Sequence, residues 1–250
     1  MEKIEKKIKK VAIKIFSELF LFLILCSYIS HASNVLLIVK NVNYLNSVHE
    51  TPIKNLLEEM NHSITLADSL SNLNYSEYHL FVLAGRPNTE EKINIPEIPK
   101  NEIPIIAIDY YYPREWGWIA PSQNSIQTSQ LQLILANKSH TISFNISEPI
   151  NPHINKKYVM VTTKSATNLI PIVVTNSTFQ YNISVAIADV NFTLLNGNIT
   201  KSRIIFFGIP YPNEWTEESK KLFKNAVEWA INDYDKDGIR DDYDLCLNTP

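Results

Sequence analysis

The sequence is short of glycine and cysteine, and each shortage removes a class of function. Only five of its 250 residues are glycine (Gly85, Gly117, Gly197, Gly208, Gly238), where ordinary usage near ~7% would give about 18. No two of them lie closer than eleven positions, so neither a Rossmann fingerprint nor a P-loop can be written from them. The two cysteines cannot form a disulfide framework or a Cys-x-x-Cys metal pair. What remains is globular in character, 45% hydrophobic and 20% charged, and long enough for one domain of roughly 200 residues with its own core.

The N-terminus reads as a targeting segment. Lys3, Lys6, Lys7, Lys9, Lys10 and Lys14 precede an apolar run from Leu19 to Leu25, and Ser30 and Ala32 put small residues where a signal peptidase reads them. Cleavage before Ser33 is expected. Leu19 to Ile29 is about 11 residues, short of the ~20 that span a bilayer. An uncleaved anchor is the other reading, helped by the apolar residues from Val11 to Phe16. Cys26 does not mark a lipoprotein, because Leu25 before it is not small.

Export changes the charge balance. Residues 1–32 hold six of the 23 basic and three of the 26 acidic side chains, so the net −3 of the whole chain becomes −6 for the remainder. An acidic exported chain carries no electrostatic footprint for nucleic acid. Eight Asn-x-Ser/Thr sequons follow, at Asn61, Asn74, Asn137, Asn145, Asn176, Asn182, Asn191 and Asn198, each a candidate glycosylation acceptor.

The body, residues 33–232, reads as one α/β domain. Asn34–Val39, Ser63–Ala67, His79–Ala84, Ile105–Ile108 and Arg203–Phe207 are short apolar runs of the kind that form strands buried on both faces. Thr51 and Pro52 look like the N-cap and first position of a helix whose apolar face is Ile53, Leu56, Leu57 and Met60. Thr216, followed by Glu217 and Glu218, starts a last helix. Strands alternating with helices argue for a mainly parallel sheet with helices on both faces. Between Gln123 and Thr200 the pieces are shorter and β-prone: Gln130–Leu135, Thr141–Ile146, Tyr158–Thr163, Ile170–Val174, Ser184–Ala188 and Phe192–Leu195. They are expected to form an antiparallel section beside the parallel one. Asn196-Gly197 signals a tight turn.

This order of elements, with HLFVLAG, PIIAID, NKSHTIS and the closing RIIFFGIPYPNEWT, resembles the class I glutamine amidotransferase-like (flavodoxin-like) domains of secreted archaeal proteins over residues 34–231. The resemblance implies a cysteine nucleophile at a sharp turn after the strand PIIAI. That turn here reads Ile108-Asp109-Tyr110-Tyr111-Tyr112-Pro113, with no cysteine and no glycine. Amidotransferase chemistry, which needs a thiol and a positioned base, is therefore not expected. Asp109 could act as a base at the sheet's C-terminal edge, where open α/β sheets bind ligands, or could simply cap the turn. Arg86, Asp109, Trp116 and Trp118 could share one crevice and stack on a sugar ring; alternatively the tryptophans belong to the core. His140, Ser165 and Asp109 make a triad on paper, unsupported by a Gly-x-Ser-x-Gly elbow.

The C-terminal residues 233–250 carry the sharpest pattern. Asp233, Asp235, Asp237, Asp241 and Asp244 fall at positions 1, 3, 5, 9 and 12 of a loop with Gly238 at 6 and the Ile239 carbonyl at 7, the spacing that wraps hard oxygens around Ca²⁺. Six aspartates against Lys236 and Arg240 would otherwise repel one another, although a solvated acidic tail is the simpler alternative. DYDKDGIRDDYDLCLNTP is similar to the thrombospondin type 3 calcium repeat, which places Cys246 at the family's cysteine. Leu247 stands where that family has proline, and the tandem neighbours that such repeats share ions with are missing. The combined expectation is an exported or cell-surface, non-catalytic, calcium-binding protein whose partner is an envelope protein or a glycan. It would meet a membrane only through its signal or anchor. A secreted hydrolase or carbohydrate-active enzyme using Asp109 is the alternative.

Overall fold

The computed structural model describes residues 32–68, 73–84, 103–108, 111–120, 124–127, 132–155, 157–176 and 182–232. The chain divides into Met1–Ala32 and Ser33–Pro250, and everything below concerns the second unit. The leader at 1–31, Arg86, Asp109 and the aspartate-rich segment 233–250 lie outside the described residues.

Ten strands among the described residues form one mixed sheet. Its parallel part contains β1 (Asn34–Ile38), β2 (Ser63–Ala67), β3 (Leu80–Leu83), β4 (Ile105–Ala107) and β10 (Ile204–Phe207), in the spatial order β2-β1-β3-β4-β10. Register is set by Leu36 beside Thr65 and Phe81, and by Ile106 beside Val82 and Ile205. That order, with the sequence reversing direction between β1 and β3, is that of flavodoxin-like sheets. The antiparallel part contains β5 (Asn124–Gln127), β6 (Leu133–Leu135), β7 (Tyr158–Thr163), β8 (Ile170–Thr175) and β9 (Asn182–Ala188). It continues the same sheet from β10 outward and matches the parallel part in strand number, so the sheet is evenly mixed rather than mainly parallel.

Alternation along the strands makes two core layers. Val35, Leu37, Leu80, Val82, Ile106, Ile205 and Phe207 face one side. There they meet α1 (Glu50–Glu59) through Ile53, Leu56 and Leu57, and α3 (Glu217–Ile231) through Leu222, Phe223, Ala226, Val227 and Ala230. The intervening residues Leu36, Ile38, Phe81, Leu83, Ile105, Ala107, Ile204 and Phe206 face the other side. They pack there on Tyr112, Trp116, Trp118 and Ile119, from and after the short α2 (Tyr111–Glu115).

Three local expectations are corrected. α1 begins at Glu50 after His49, which gives no side-chain cap, so Thr51 is not the N-cap. Glu50 turns inward instead and binds the preceding loop. Thr141–Ser143 is a 3-10 turn and not a strand. The His140 Nδ1 accepts the Ile142 N–H and the Ser143 hydroxyl donates to the Asn137 carbonyl, so local bonds displace the ladder. Phe192–Leu195 pairs only through a Thr193–Ile199 bridge. Its hydrogen bonds go to a compact arm in which Phe192 N–H reaches the Thr200 hydroxyl and Gly197 N–H the Leu194 carbonyl. At α3 the expected cap is present, with Thr216 Oγ1 accepting the Ser219 N–H.

Gly208 is the point where three strands meet. β9 pairs along one edge with β10 through Val185–Ala188 and with β7 through Asn182 and Ile183. Just beyond β10, Gly208 donates to the Ser184 carbonyl and accepts from the Met160 N–H, both at 2.7 Å. A β-carbon there would collide with the Met160 and Ser184 carbonyl oxygens, so only glycine permits the junction.

Candidate functional site

Open α/β sheets bind ligands beyond the carboxyl ends of their strands. β3 and β4 lie side by side there, with Leu83 opposite Ala107, and the chain runs from them toward Arg86 and Asp109, which are outside the described residues. Trp116 and Trp118 are placed together, 4.9 Å between ring centroids, with Tyr112 stacked on Trp116 at 5.4 Å. Trp118 is 0% and Trp116 5% exposed. In this structure both indoles are core, and neither offers a free face to a sugar.

The loop after β1 shows what this edge does not bind. Glu50 is 1% exposed, and its carboxylate accepts the Lys40 and Asn46 N–H groups at 2.6 and 2.7 Å. Asp68 accepts the Val42 N–H at 3.0 Å. Such backbone donors near a helix N-terminus are the natural seat of a phosphate. Here the protein's own carboxylates occupy them and would repel an anion.

A different cluster forms where that loop meets the segment after β10. Ile209–Trp215 is a tight turn, with Trp215 Nε1 donating to the Ile209 carbonyl at 3.0 Å and Glu214 N–H to the Tyr211 carbonyl at 2.9 Å. Tyr211, between Pro210 and Pro212, adopts the left-handed conformation (φ 64°). That conformation costs a side-chain-bearing residue about 1–2 kcal/mol. The strain is sustained by the turn's contacts and holds the ring between loops. His49 lies 5.2 Å from the Tyr211 ring, His153 6.3 Å from it edge-on, and the Lys157 ammonium 5.3 Å over its face. Asn213 N–H bonds the Val48 carbonyl, Ile154 N–H the Glu214 carbonyl, and Asn155 Nδ2 donates to the Glu214 carboxylate at 2.6 Å. Three chain segments are thereby joined at one rim, where Ile154 is 71% exposed.

His153 is 6% exposed and its Nε2 proton goes to the Pro210 carbonyl. Burial holds its pKa below the usual 6.5, against the opposing pull of that hydrogen bond and of Glu214. It is thus a neutral structural imidazole. Two members of the triad drawn from the sequence are in structural use too: His140 caps its own turn edge-on to Trp229, and the Ser165 hydroxyl meets that of Thr163 at 3.2 Å, while Asp109 lies outside the described residues. Sequence reasoning did not find the Tyr211 cluster. Its one sequence signal is the Pro210-Tyr211-Pro212 sandwich, which restricts the backbone on both sides of an aromatic residue.

No family model and no curated protein matches the chain. Among solved structures it is similar to a glutamine amidotransferase from Thermotoga maritima, at 13% sequence identity and a TM-score of 0.39, with 79% of this chain and 82% of that chain covered. The flavodoxin-like order described above rests on the strand pairing itself. Among the described residues, no group of three or more His, Cys, Asp or Glu side chains is arranged to hold a metal ion. The aspartates at 233–244 are not among them. No helix of the described residues is long and apolar enough to cross a membrane.

At the opposite end of the sheet, α3 is fixed to the start of β10 by Arg203. This side chain is 2% exposed, donates from Nη1 to the Trp229 and Asn232 carbonyls at 2.9 and 2.8 Å, lies over the Trp229 ring at 5.0 Å and pairs with Asp189 at 3.2 Å. A cation at a helix C-terminus answers both its free carbonyls and its dipole. Asn232 is the last described residue before Asp233.

Proposed function

We propose that this chain is an exported or cell-surface protein in which a non-catalytic α/β domain carries a C-terminal calcium-binding segment and contacts a ligand or envelope partner. The observation that carries the reading is the oxygen-donor spacing of Asp233, Asp235, Asp237, Ile239, Asp241 and Asp244 around Gly238. The Arg203 clamp supports it. A calcium loop gains from a rigid root, and the clamp fixes the carbonyl of Asn232, one residue before the first aspartate. A thrombospondin type 3-like segment on an amidotransferase-like domain without the catalytic cysteine accounts for the whole sequence after the leader. The rim around Tyr211 brings an aromatic ring of the kind that stacks on a glycan, and the Glu50 and Asp68 carboxylates in the loop that meets it disfavour a phosphate.

Terbium luminescence tests the calcium reading, because Tyr234 and Tyr243 within the segment would sensitise an ion bound there. Emission that calcium competes away, and that is lost in Asp235→Ala/Asp237→Ala, is expected; emission unchanged by the double substitution contradicts the assignment. The second reading, a secreted hydrolase using Asp109, is favoured by the adjacency of β3 and β4, which lead to Arg86 and Asp109. Any hydrolytic activity that persists in Asp109→Asn removes it.

A further inference from the structure

Of the eight sequons, four group at one end of the fold, while Asn137, Asn145 and Asn176 lie elsewhere, the last two of them also exposed. Asn61 sits in the turn entering β2, Asn74 before the short helical turn that leads to β3, and Asn191 and Asn198 on the arm between β9 and β10. All four belong to connections that enter the parallel strands at their N-terminal ends, and all four residues are exposed. Asn61 and Asn191 occupy tight left-handed turns at φ 64° and 61°. By contrast, the loops that follow β1, β3, β4 and β10 contain no sequon. Asn176, exposed just after β8, is the acceptor that lies toward the edge holding Tyr211.

We propose that the N-terminal end of the parallel sheet is an N-glycosylated face, modified at Asn61, Asn74, Asn191 and Asn198, while Asn182 stays bare in every folded molecule. The inference rests on the export reading, since the sugar donor acts on exported chains. In the transfer, the asparagine Nδ2 forms a bond to C1 of an oligosaccharide carried on a polyprenyl phosphate. The C1–phosphate bond breaks, the phosphate leaves with the bonding pair, and Nδ2 loses one proton. The product amide keeps one N–H, so the Asn74 Nδ2 bond to Glu77 Oε1, 2.9 Å, can survive modification. Thr200, the hydroxyl residue of the Asn198 sequon, is 0% exposed and hydrogen-bonded to Asp189 and Phe192. Transfer at Asn198 therefore precedes folding.

Timing also explains the exclusion at Asn182. This residue is 4% exposed, begins β9 and pairs with Thr163 of β7, and its sequon serine, Ser184, is fully buried. A chain that acquired a sugar there could not bring β7 and β9 together, and would be lost before reaching the folded pool.

The test is site mapping on the full chain exported from a cell with an N-glycosylation system. Peptides are released by glycan amidase in heavy-oxygen water, which labels each formerly modified asparagine, and the intact N-terminus is read in parallel. Label at Asn61, Asn74, Asn191 and Asn198, none at Asn182, and loss of four glycans' mass in the fourfold Asn→Gln variant are expected. An exported chain starting at Ser33 with those four sites bare overturns the glycan face and leaves the export reading standing, as does label on Asn182 in folded protein. A chain retained in the cell with Met1 intact overturns both.

Discussion

Substituting alanine for Gly208 tests whether the two halves of the sheet are joined as described. The added β-carbon would stand 2.6 Å from the Ser184 carbonyl oxygen and closer still to that of Met160. Both oxygens belong to ladder backbone, so neither can rotate away. Relief requires β7 and β9 to part from residue 208 by roughly 1 Å, which stretches the two 2.7 Å hydrogen bonds that Gly208 makes. Overpacking costs about 1–3 kcal/mol, and weakening two such bonds adds about 0.5–1.5 kcal/mol each. A total of about 2–6 kcal/mol is a large share of the 5–15 kcal/mol that ordinarily separates folded from unfolded chains. In urea, with a slope of about 2–3 kcal/mol/M, the midpoint falls by roughly 1–2 M. Gly197→Ala is the control: no atom lies within 4 Å of its β-carbon, and only the positive φ of 82° penalises it, a loss of about 1–2 kcal/mol. A Gly208→Ala protein within about 0.5 kcal/mol of the parent, the ordinary range for surface changes, would refute the three-strand junction.

The remaining predictions concern buried charge and protonation. Arg203→Met leaves the Trp229 and Asn232 carbonyls without this donor and lowers stability by about 2–4 kcal/mol in urea unfolding, since the Asp189 left behind is partly exposed. Arg203→Lys recovers less than half, because one ammonium cannot reproduce the fork, and faster amide exchange is confined first to the last turn of α3. His62, 7% exposed, accepts the Ser33 N–H through Nδ1; burial and the neighbouring His79 hold its pKa below 6.5, as burial does for His153. For both groups the unfolded chain binds protons more readily, so stability is full above about pH 6.5 and declines as pH falls from there through the folded pKa. His62→Gln and His153→Gln should each flatten that decline in thermal melts. A steeper decline in both would show that the imidazoles are protonated in the fold. Glu148, held below the usual carboxylate range mainly by its hydrogen bond to Lys138, contributes a separate loss only under more acidic conditions.

The parallel half of the fold was legible because strands buried on both faces read as apolar runs, and β1, β3, β4 and β10 each fall within one, while β2, at the sheet's edge, alternates exposed and part-buried residues. The antiparallel half was legible in kind and less so in detail. Thr141–Ile146 and Phe192–Leu195 have strand composition, but Asn137, His140, Ser143 and Thr200 offer side-chain bonds to the nearby backbone, and those bonds made turns. Thr51 looked like a cap until Glu50 took up the loop's N–H groups from inside, a role no local pattern announces. The rim around Tyr211 draws on three segments more than fifty residues apart in sequence, so periodicity and motif spacing have no access to it. The tryptophans 116 and 118 were legible as a pair; their direction was not, because an aromatic pair has the same pattern in a groove and in a core.

Titration calorimetry with calcium on the full exported chain tests the central claim most directly. Saturable heat with a stoichiometry of at least one ion per chain, abolished in Asp235→Ala/Asp237→Ala while the melting temperature of the α/β domain is kept, is the result the aspartate spacing predicts. The absence of calcium-dependent heat at millimolar ion, or heat indifferent to the two substitutions, would contradict it.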